Sequence, residues 1–251
     1  YVNQEVIKGV LEQQIRVEYQ LSIRTAFHIG TGNAEGLLDR TMVKDSFGRL
    51  LIPASSIKGV LRSEVQSLAN TWGLPNCGSN YGSVWCFKNQ NCLVCNLFGS
   101  TFSGERLFFD DCELTEESRR VFSIGPEELP FGQTQIRTQI KINRRTGVVE
   151  EGHLFTSEYG NAGLVFQSVI TGKINSAAMV NEETQFFPEL IMLLVGLKTL
   201  ERIGAGRSRG NGGITLDLLG LWVNREKVDT SSQLKLLPDA VSALRERRIG
   251  I

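Results

Sequence analysis

The stretch IRVEYQLSIRTAF, residues 15–27, carries the clearest structural signal in the sequence. From Ile15 to Ile23 every second residue is apolar or aromatic, and the residues between them are polar. Because successive side chains of a β-strand point to opposite faces, this alternation predicts a strand with one buried face. A glycine-rich loop, HIGTGNAEG at residues 28–36, follows the strand.

The segments after this loop predict a hairpin and a helix. Residues 41–52 indicate two short strands around a turn at 45–48, and Pro53 ends the second strand. A helix should follow, with Ser55 or Ser56 as its N-cap. Its apolar face recurs at helical spacing and consists of Ile57, Val60, Leu61, Val65 and Leu68.

The second half of the chain supplies the remaining elements. Residues 106–114, 163–174 and 213–223 are typical of strands, and residues 182–201 of a helix. With the first half, they approximate the order β-α-β-β-α-β, which predicts an α+β fold with a ferredoxin-like palm resembling RNA-recognition modules.

Residues 133–143 form another alternating run, which ends in the basic turn 144–147. We expect this run to be one strand of a protruding β arm whose positive charge suits a nucleic-acid backbone. A salt-bridged hairpin would have a similar sequence. The apolar set is expected to face inward, opposite Arg137 and Lys141, and consists of Ile136, Thr138, Ile140 and Ile142.

The sequence predicts one domain over residues 1–251. We divide it into parts with these approximate bounds: a palm at 15–70 and 104–222, a cysteine-rich insertion at 71–103, a thumb-like arm at 133–162, and a peripheral C-terminal tail at 223–251.

The overall composition gives no sign of a cationic chain. Lys and Arg total 27, as do Asp and Glu, so binding to nucleic acid would need a local basic patch. The apolar runs are too short to span a bilayer, and no secretory apolar region opens the sequence. We therefore expect a cytoplasmic protein with no membrane partner.

Four of the five cysteines are clustered with the spacing C-x8-C-x5-C-x2-C. In a reducing compartment such clustering indicates metal binding, and the C-x2-C pair is the usual chelating step of a structural zinc site. Cysteines without metal in a mobile loop, or a redox pair, remain alternatives. The predicted Zn2+ ligands are Cys77, Cys86, Cys92 and Cys95.

Two segments combine features that suit phosphate. In LERIGAGRSRGNGGITLDL, residues 200–218, glycines allow backbone amides to approach an anion and arginines supply forked donors. A flexible surface turn is the alternative. At the start of the predicted helix, Lys58 and Arg62 lie four residues apart and on one side. A solvated charged face would look the same.

Four motifs occur in order along the chain: HIGTGNAEGLLDRTMVKDSFGRLLIPASSIKGVLRSEV, CLVCNLFGSTFSGERLFFDD, RTQIKINRRTGVVEEGHLFTSEYGNAGLVF and IGAGRSRGNGG. Together they resemble the RAMP superfamily, in the branch that forms the repeating backbone of type III CRISPR effector complexes. The resemblance implies a ferredoxin-like palm with a thumb. It also implies stacking with other subunits along a guide RNA (crRNA) that pairs with complementary target RNA.

The resemblance also implies a metal-dependent endoribonuclease that cuts target RNA at regular intervals. The aspartate at the matching position is Asp39, with Asp45 a weaker candidate, and the cofactor would be Mg2+ or another divalent ion. A loop aspartate bonded only to local backbone is the alternative for Asp39. The expected RNA-binding residues are Ser55, Ser56, Lys58, Arg62, Arg137, Lys141, Gly204, Gly206, Arg207, Arg209 and Gly210.

Three other functions fit parts of the sequence. A non-catalytic crRNA-binding subunit would keep the filament role without Asp39 chemistry. A stand-alone repeat-processing endoribonuclease would require His28, but we interpret both His28 and His153 as structural. An unrelated zinc-stabilised RNA-binding module is the fourth hypothesis.

Overall fold

The computed structural model describes residues 10–74, 76, 92–100, 104–125, 129–177, 179–181 and 184–246. The predicted α+β class is confirmed, since helices pack on a central antiparallel sheet. The strands, in chain order, are β1 (Val10–Ile23), β2 (Leu107–Phe109), β3 (Glu113–Leu114), β4 (Ser123–Ile124), β5 (Leu129–Pro130), β6 (Thr134–Ile142), β7 (Val149–Gly160), β8 (Val165–Ala177), β9 (Met179–Asn181), β10 (Thr184–Phe186), β11 (Ile214–Val223) and β12 (Glu226–Lys227).

Helices pack against the central sheet, and the last two of them form the C-terminal tail. None of the helices in the described ranges is long and apolar enough to cross a membrane. In chain order they are α1 (Ala54–Thr71), α2 (Leu93–Phe98), α3 (Glu116–Val121), α4 (Pro188–Lys198), α5 (Thr230–Lys235) and α6 (Leu237–Glu246).

The central sheet has the order β12-β11-β1-β8-β2, and β3 also pairs with β8. Strand β1 lies between β11 and β8 and runs antiparallel to both. The predicted alternation is confirmed, because the alternate residues from Ile15 to Ile23 are buried while Arg16 and Glu18 form an ion pair on the other face. Burial of one sheet face against helices is what makes this alternation necessary.

Helices α1 and α4 cross at a close contact in the core. A Cβ atom added to Gly196 would lie 2.6 Å from Cγ2 of Val65 and 3.2 Å from Cδ1 of Leu61. Helix α4 is buried along nearly its whole length because it also packs against α6 and the sheet. It begins at Pro188 rather than at residue 182, and Thr184–Phe186 form strand β10 instead.

Two local predictions in the first half were wrong. Residues 41–52 form isolated bridges rather than two strands, although Asp45 does make the turn by accepting hydrogen bonds from the amides of Phe47 and Arg49. Neither serine caps α1, because the helix begins at Ala54 after Pro53. Oδ1 of Asp111 accepts the Ala54 amide hydrogen at an N–O distance of 2.7 Å, so a carboxylate from outside the helix does the work of the cap.

The arm formed by β6 and β7 is a hairpin whose apolar face was predicted incorrectly. Ile136, Ile140 and Ile142 are all more than half exposed, as is Leu154 opposite Ile140. The face that carries Arg137 is instead the partly covered one, since its guanidinium stacks on the ring of Tyr159. Alternation gives the two faces of a strand but does not tell which face the rest of the chain covers.

The C-terminal tail packs against the core through α5 and α6. Ala240, Ala243 and Leu244 are buried, and α6 lies against α4. The Arg245 side chain donates from Nε to the Trp72 carbonyl oxygen at the end of α1, at 2.9 Å. The tail therefore covers one end of the helical layer.

Candidate nucleic-acid interface

Asp39 lies in the loop between β1 and α1, with its side chain exposed. Its amide nitrogen donates to the Thr156 carbonyl oxygen at 2.8 Å, and its carboxylate oxygen Oδ2 accepts from the Thr156 amide nitrogen at 2.7 Å. Thr156 belongs to β7 of the arm. The loop is thus joined to the arm at the residue predicted to be catalytic.

The chain after Asp39 stays beside β7 through Glu158. The Glu158 amide donates to the Arg40 carbonyl oxygen at 2.9 Å, while its buried carboxylate accepts from the Met42 amide at 2.9 Å and from Nζ of Lys44 at 2.7 Å. Burial raises the pKa of Glu158, but the hydrogen bonds from Lys44 and Met42 outweigh it and hold that pKa below its ordinary value. The carboxylate is therefore ionised near neutral pH.

His28 lies beside the contact between the Asp39 loop and β7, and it is not exposed to solvent. It is buried, and its Nδ1 donates to the Glu158 carbonyl oxygen at 2.7 Å. Its ring lies 5.4 Å from that of Tyr159, and its own carbonyl oxygen accepts the Ala205 amide at 2.8 Å. These contacts give His28 a structural position. The side chain of His153 lies outside the described part of the chain.

The glycine-rich loop folds tightly against the end of β1. Gly204 and Gly212 have positive φ, and an added Cβ would lie 2.4 Å from the His28 carbonyl oxygen and 1.8 Å from the Ile203 carbonyl oxygen respectively. The Gly212 amide donates to the Ala26 carbonyl oxygen at 2.8 Å. Other loop amides also donate to carbonyl oxygens of the protein, namely those of Ala205, Arg209, Gly210 and Asn211. The groups that the loop offers to a ligand are therefore mainly side chains.

Arg207 and Arg209 provide two such side chains. They are the first and last residues of an exposed 3-10 turn, Arg207–Arg209. This turn lies between Gly206 and Gly210, which are both in the left-handed region. Because guanidinium groups carry forked donors, two exposed arginines on one turn suit phosphate oxygens.

The two predicted arm residues lie in different places. Arg137 stacks on Tyr159 at 4.8 Å, and its Nη1 reaches Oδ1 of Asn211 at 3.5 Å, so it joins the arm to the glycine-rich loop. Lys141 lies farther along β6 and forms an ion pair with Glu150 at 2.6 Å. The structure therefore groups Arg137, but not Lys141, with the loop.

The start of α1 is already supplied with protein partners. Nζ of Lys58 lies 2.6 Å from a carboxylate oxygen of Glu105, and Nη1 of Arg62 donates to the Gly99 carbonyl oxygen at 2.8 Å. Ser55 and Ser56 occupy the first turn of α1. RNA binding by these four residues stays a prediction. A phosphate at Lys58 or Arg62 would have to share or replace the contacts with Glu105 and Gly99.

A cavity of about 650 Å3 lies between α1 and the glycine-rich loop. Val60 and Glu64 line it on the helix side, while Arg202, Arg207 and Ser208 line it on the loop side. The cavity brings the glycine-rich loop to α1. The predicted Lys58 and Arg62 do not line it, because they lie on the opposite side of the helix from Val60 and Glu64.

Two of the four predicted zinc ligands are described. Cys92 immediately precedes α2 and Cys95 lies in its first turn, and both are buried. Their C-x2-C spacing is the usual chelating step of a structural zinc site, and the site stays a prediction. Cys77 and Cys86 lie outside the described residues. Cys112 lies elsewhere in the core, with Sγ 3.6 Å from the Tyr19 hydroxyl oxygen, and burial raises the pKa of its thiol to about 11.

The Asp39 region does not contain a complete metal site. Within the described ranges, no group of three or more His, Cys, Asp or Glu side chains is placed to hold a metal ion. Asp39 could supply one ligand through Oδ1, which accepts no hydrogen bond from the described residues. A divalent ion here would need most of its ligands from water and RNA oxygens.

Glu158 and Thr156 were not identified from the sequence, although both lie in the quoted arm motif. Glu158 pairs directly with Ile136, so a charged residue lies on the face of the hairpin that carries the isoleucines. That unusual position is the one feature that could have drawn attention to it. Thr156 acts through its backbone, which leaves no mark in the residue type.

Comparison with known proteins identifies the superfamily of this chain. A sequence model of the RAMP superfamily matches residues 20–215, and the chain therefore belongs to that superfamily. A curated relative, the CRISPR system Cms endoribonuclease Csm3 of Methanocaldococcus jannaschii, is 26% identical over 249 residues, which is 94% of this chain and 92% of the relative.

Solved structures show the same fold. The type III-B Cmr-beta complex bound to cognate target RNA contains a chain with a TM-score of 0.54 at 15% identity, covering 81% of this chain and 96% of the other. The apo state of Cmr-beta gives a TM-score of 0.52 at 15% identity, with 81% and 97% covered.

Proposed function

We propose that this protein is a crRNA-binding backbone subunit of a type III CRISPR complex and cuts complementary target RNA through Asp39. The observation that carries the proposal is the position of Asp39, whose exposed carboxylate is fixed to the arm by the Thr156 backbone. An aspartate bonded only to its local backbone would not make this contact, since Thr156 is 117 residues away in sequence.

The relatives support the two parts of this proposal separately. The Csm3 relative is named an endoribonuclease, which favours cutting. The Cmr-beta structures include one bound to cognate target RNA, which favours a place in a multi-subunit ribonucleoprotein with neighbouring backbone subunits. The strand order around β1 supports a ferredoxin-like palm, and the β6–β7 hairpin supports its thumb.

RNA binding would rest on phosphate contacts rather than on base recognition. Arg207 and Arg209 would bind phosphates from the glycine-rich loop, with Arg137 beside them at the base of the arm. Lys58 and Arg62, on the side of α1 away from the cavity, would make a separate phosphate contact near Glu105 and Gly99. Such contacts fix the register of an RNA without reading its sequence, which suits a protein guided by base pairing.

The chemistry needs few protein groups because RNA carries its own nucleophile, the 2′-hydroxyl. Asp39 would orient the strand for in-line attack, or accept the proton of the 2′-hydroxyl as that oxygen attacks the adjacent phosphorus. The bond from phosphorus to the 5′-oxygen of the next nucleotide would break as the new bond forms, which leaves a 2′,3′-cyclic phosphate. The released 5′-oxygen would take a proton from water. A divalent ion held by Asp39 and RNA oxygens would stabilise charge on the phosphate. A zinc ion at the four clustered cysteines would stabilise the fold and take no part in cleavage.

A substituted target RNA tests the proposal in the reconstituted complex. One 2′-deoxynucleotide is placed on the 5′ side of a mapped cut, and the unmodified RNA serves as the control. We expect that cut alone to disappear while the others persist. Unchanged cutting at the modified position would reject the 2′-hydroxyl mechanism. Tight target binding without any cutting would instead favour the non-catalytic subunit.

A further inference from the structure

Glu158 connects the arm to the loop that carries Asp39. It lies two residues after Thr156 on β7, and both residues hydrogen-bond to the same stretch of loop. Its side chain adds two bonds, to the Met42 amide and to Nζ of Lys44. The stretch from Asp39 to Lys44 is thereby attached to β7 at both of its ends.

The burial of this carboxylate is explained only in part by the arm. Glu158 is 4% exposed, whereas its cross-strand neighbour Ile136 is 64% exposed. Thr134 of β6 hydrogen-bonds to the carboxylate, and the Met42 amide and the Lys44 ammonium of the loop meet it from outside the arm. Burying a charge has a large desolvation cost, and a paired buried charge contributes little net stability compared with an apolar residue.

We propose that Glu158 is a positioning residue for target cleavage, which holds the Asp39 loop against β7 through its bonds to Met42 and Lys44. This inference rests on the proposed role of Asp39. Glu158 acts through the loop and does not touch the RNA. Lys44 and the Met42 amide are the two groups through which it acts.

The test compares variants in the assembled complex with crRNA and target RNA. Glu158→Gln keeps the shape but loses the ion pair, and Glu113→Gln removes a carboxylate of an exposed ion pair with Arg119 as the matched control. Because displacement of a catalytic group by about 1 Å costs on the order of 100-fold in rate, we expect Glu158→Gln to lower the single-turnover rate by about 10- to 100-fold. Target affinity should stay within about twofold in both variants.

Substitutions at Lys44 keep the inference testable if Glu158→Gln does not assemble. Lys44→Met should lower the cleavage rate without loss of target affinity, while Lys44→Arg, which keeps the charge, should retain the rate. A general loss of stability would instead lower assembly and affinity together, and would overturn the inference.

Asp39→Ala in the same assay separates the two proposals. If Asp39→Ala abolishes cutting while the Glu158 and Lys44 variants cut at the wild-type rate, the positioning role alone is wrong. If Asp39→Ala cuts normally, the proposed function fails and the positioning role fails with it.

Discussion

The backbone amide of Thr156 donates a hydrogen bond to the carboxylate of Asp39 across 117 residues of sequence, at 2.7 Å. This contact joins the loop after β1 to the arm, beside the bonds that Glu158 makes to Arg40, Met42 and Lys44. It fixes the carboxylate oxygen Oδ2, while Oδ1 accepts no hydrogen bond from the described residues. The orientation of Asp39 thus depends on the arm as well as on its own loop.

The glycine-rich loop should tolerate substitution at one glycine and not at another. Gly210 and Gly212 both have positive φ, but an added Cβ meets open space at Gly210 and lies 1.8 Å from the Ile203 carbonyl oxygen at Gly212. We expect Gly210→Ala to lower the free energy of unfolding by about 1 kcal/mol and Gly212→Ala by about 3 kcal/mol or more. Urea denaturation measures both, and equal losses would show that φ alone decides the cost.

Two helical glycines make a second matched pair. Gly59 on α1 faces open space, so Gly59→Ala should raise the free energy of unfolding by about 0.5–1 kcal/mol through helix propensity. Gly196 on α4 touches Val65, so Gly196→Ala should lower it by about 1–2 kcal/mol through overpacking. The Val65→Ala change combined with Gly196→Ala should recover part of that loss. Strictly additive effects in the double-mutant cycle would contradict the contact.

RNA binding should depend on Arg209 through charge. Arg209→Ala should weaken binding equally for unrelated RNA sequences and reduce the slope of log affinity against log salt by about 1. Lys173→Ala is the control, because Lys173 lies on β8 and pairs with Glu12 away from the loop. A loss confined to particular RNA sequences would mean that Arg209 reads bases rather than phosphates.

Zinc removal should affect the cysteine-rich insertion alone. Cys95→Ser should abolish bound zinc, measured by atomic absorption, whereas Cys112→Ala should retain it because Cys112 lies in the core beside Tyr19. Chelation should raise hydrogen exchange in peptides from residues 77–95 and leave β1 protected. Global unfolding on chelation would show that the metal supports the whole fold rather than one insertion.

The central strands and helices could be predicted because the spacing of their apolar residues indicates which face is buried. Strand β1 and the apolar face of α1 follow from periodicities of two and 3.6 residues, which depend only on which residues are apolar. The arm shows the limit of this reasoning. Its isoleucine face is as regular as that of β1, yet it is exposed, because burial depends on what the rest of the chain places against it.

Site residues that act through residue type could also be proposed from the sequence. Arg207 and Arg209 carry their chemistry in their side chains, and Asp39 came from the motif. Two other contacts could not be proposed from the sequence: that of Asp111 with the start of α1 and that of Thr156 with Asp39. Each joins residues distant in sequence through a backbone group. Such contacts require the fold to be known.

Single-turnover cleavage of target RNA by a complex that contains Asp39→Ala tests most directly whether Asp39 is the catalytic residue. Asp45→Asn is the matched control, because the Asp45 carboxylate is committed to the Phe47 and Arg49 amides and to the Arg49 guanidinium. We predict that Asp39→Ala binds crRNA and target normally but loses cleavage at every site, while Asp45→Asn still cuts. Cleavage by Asp39→Ala at the wild-type rate and positions would contradict the account.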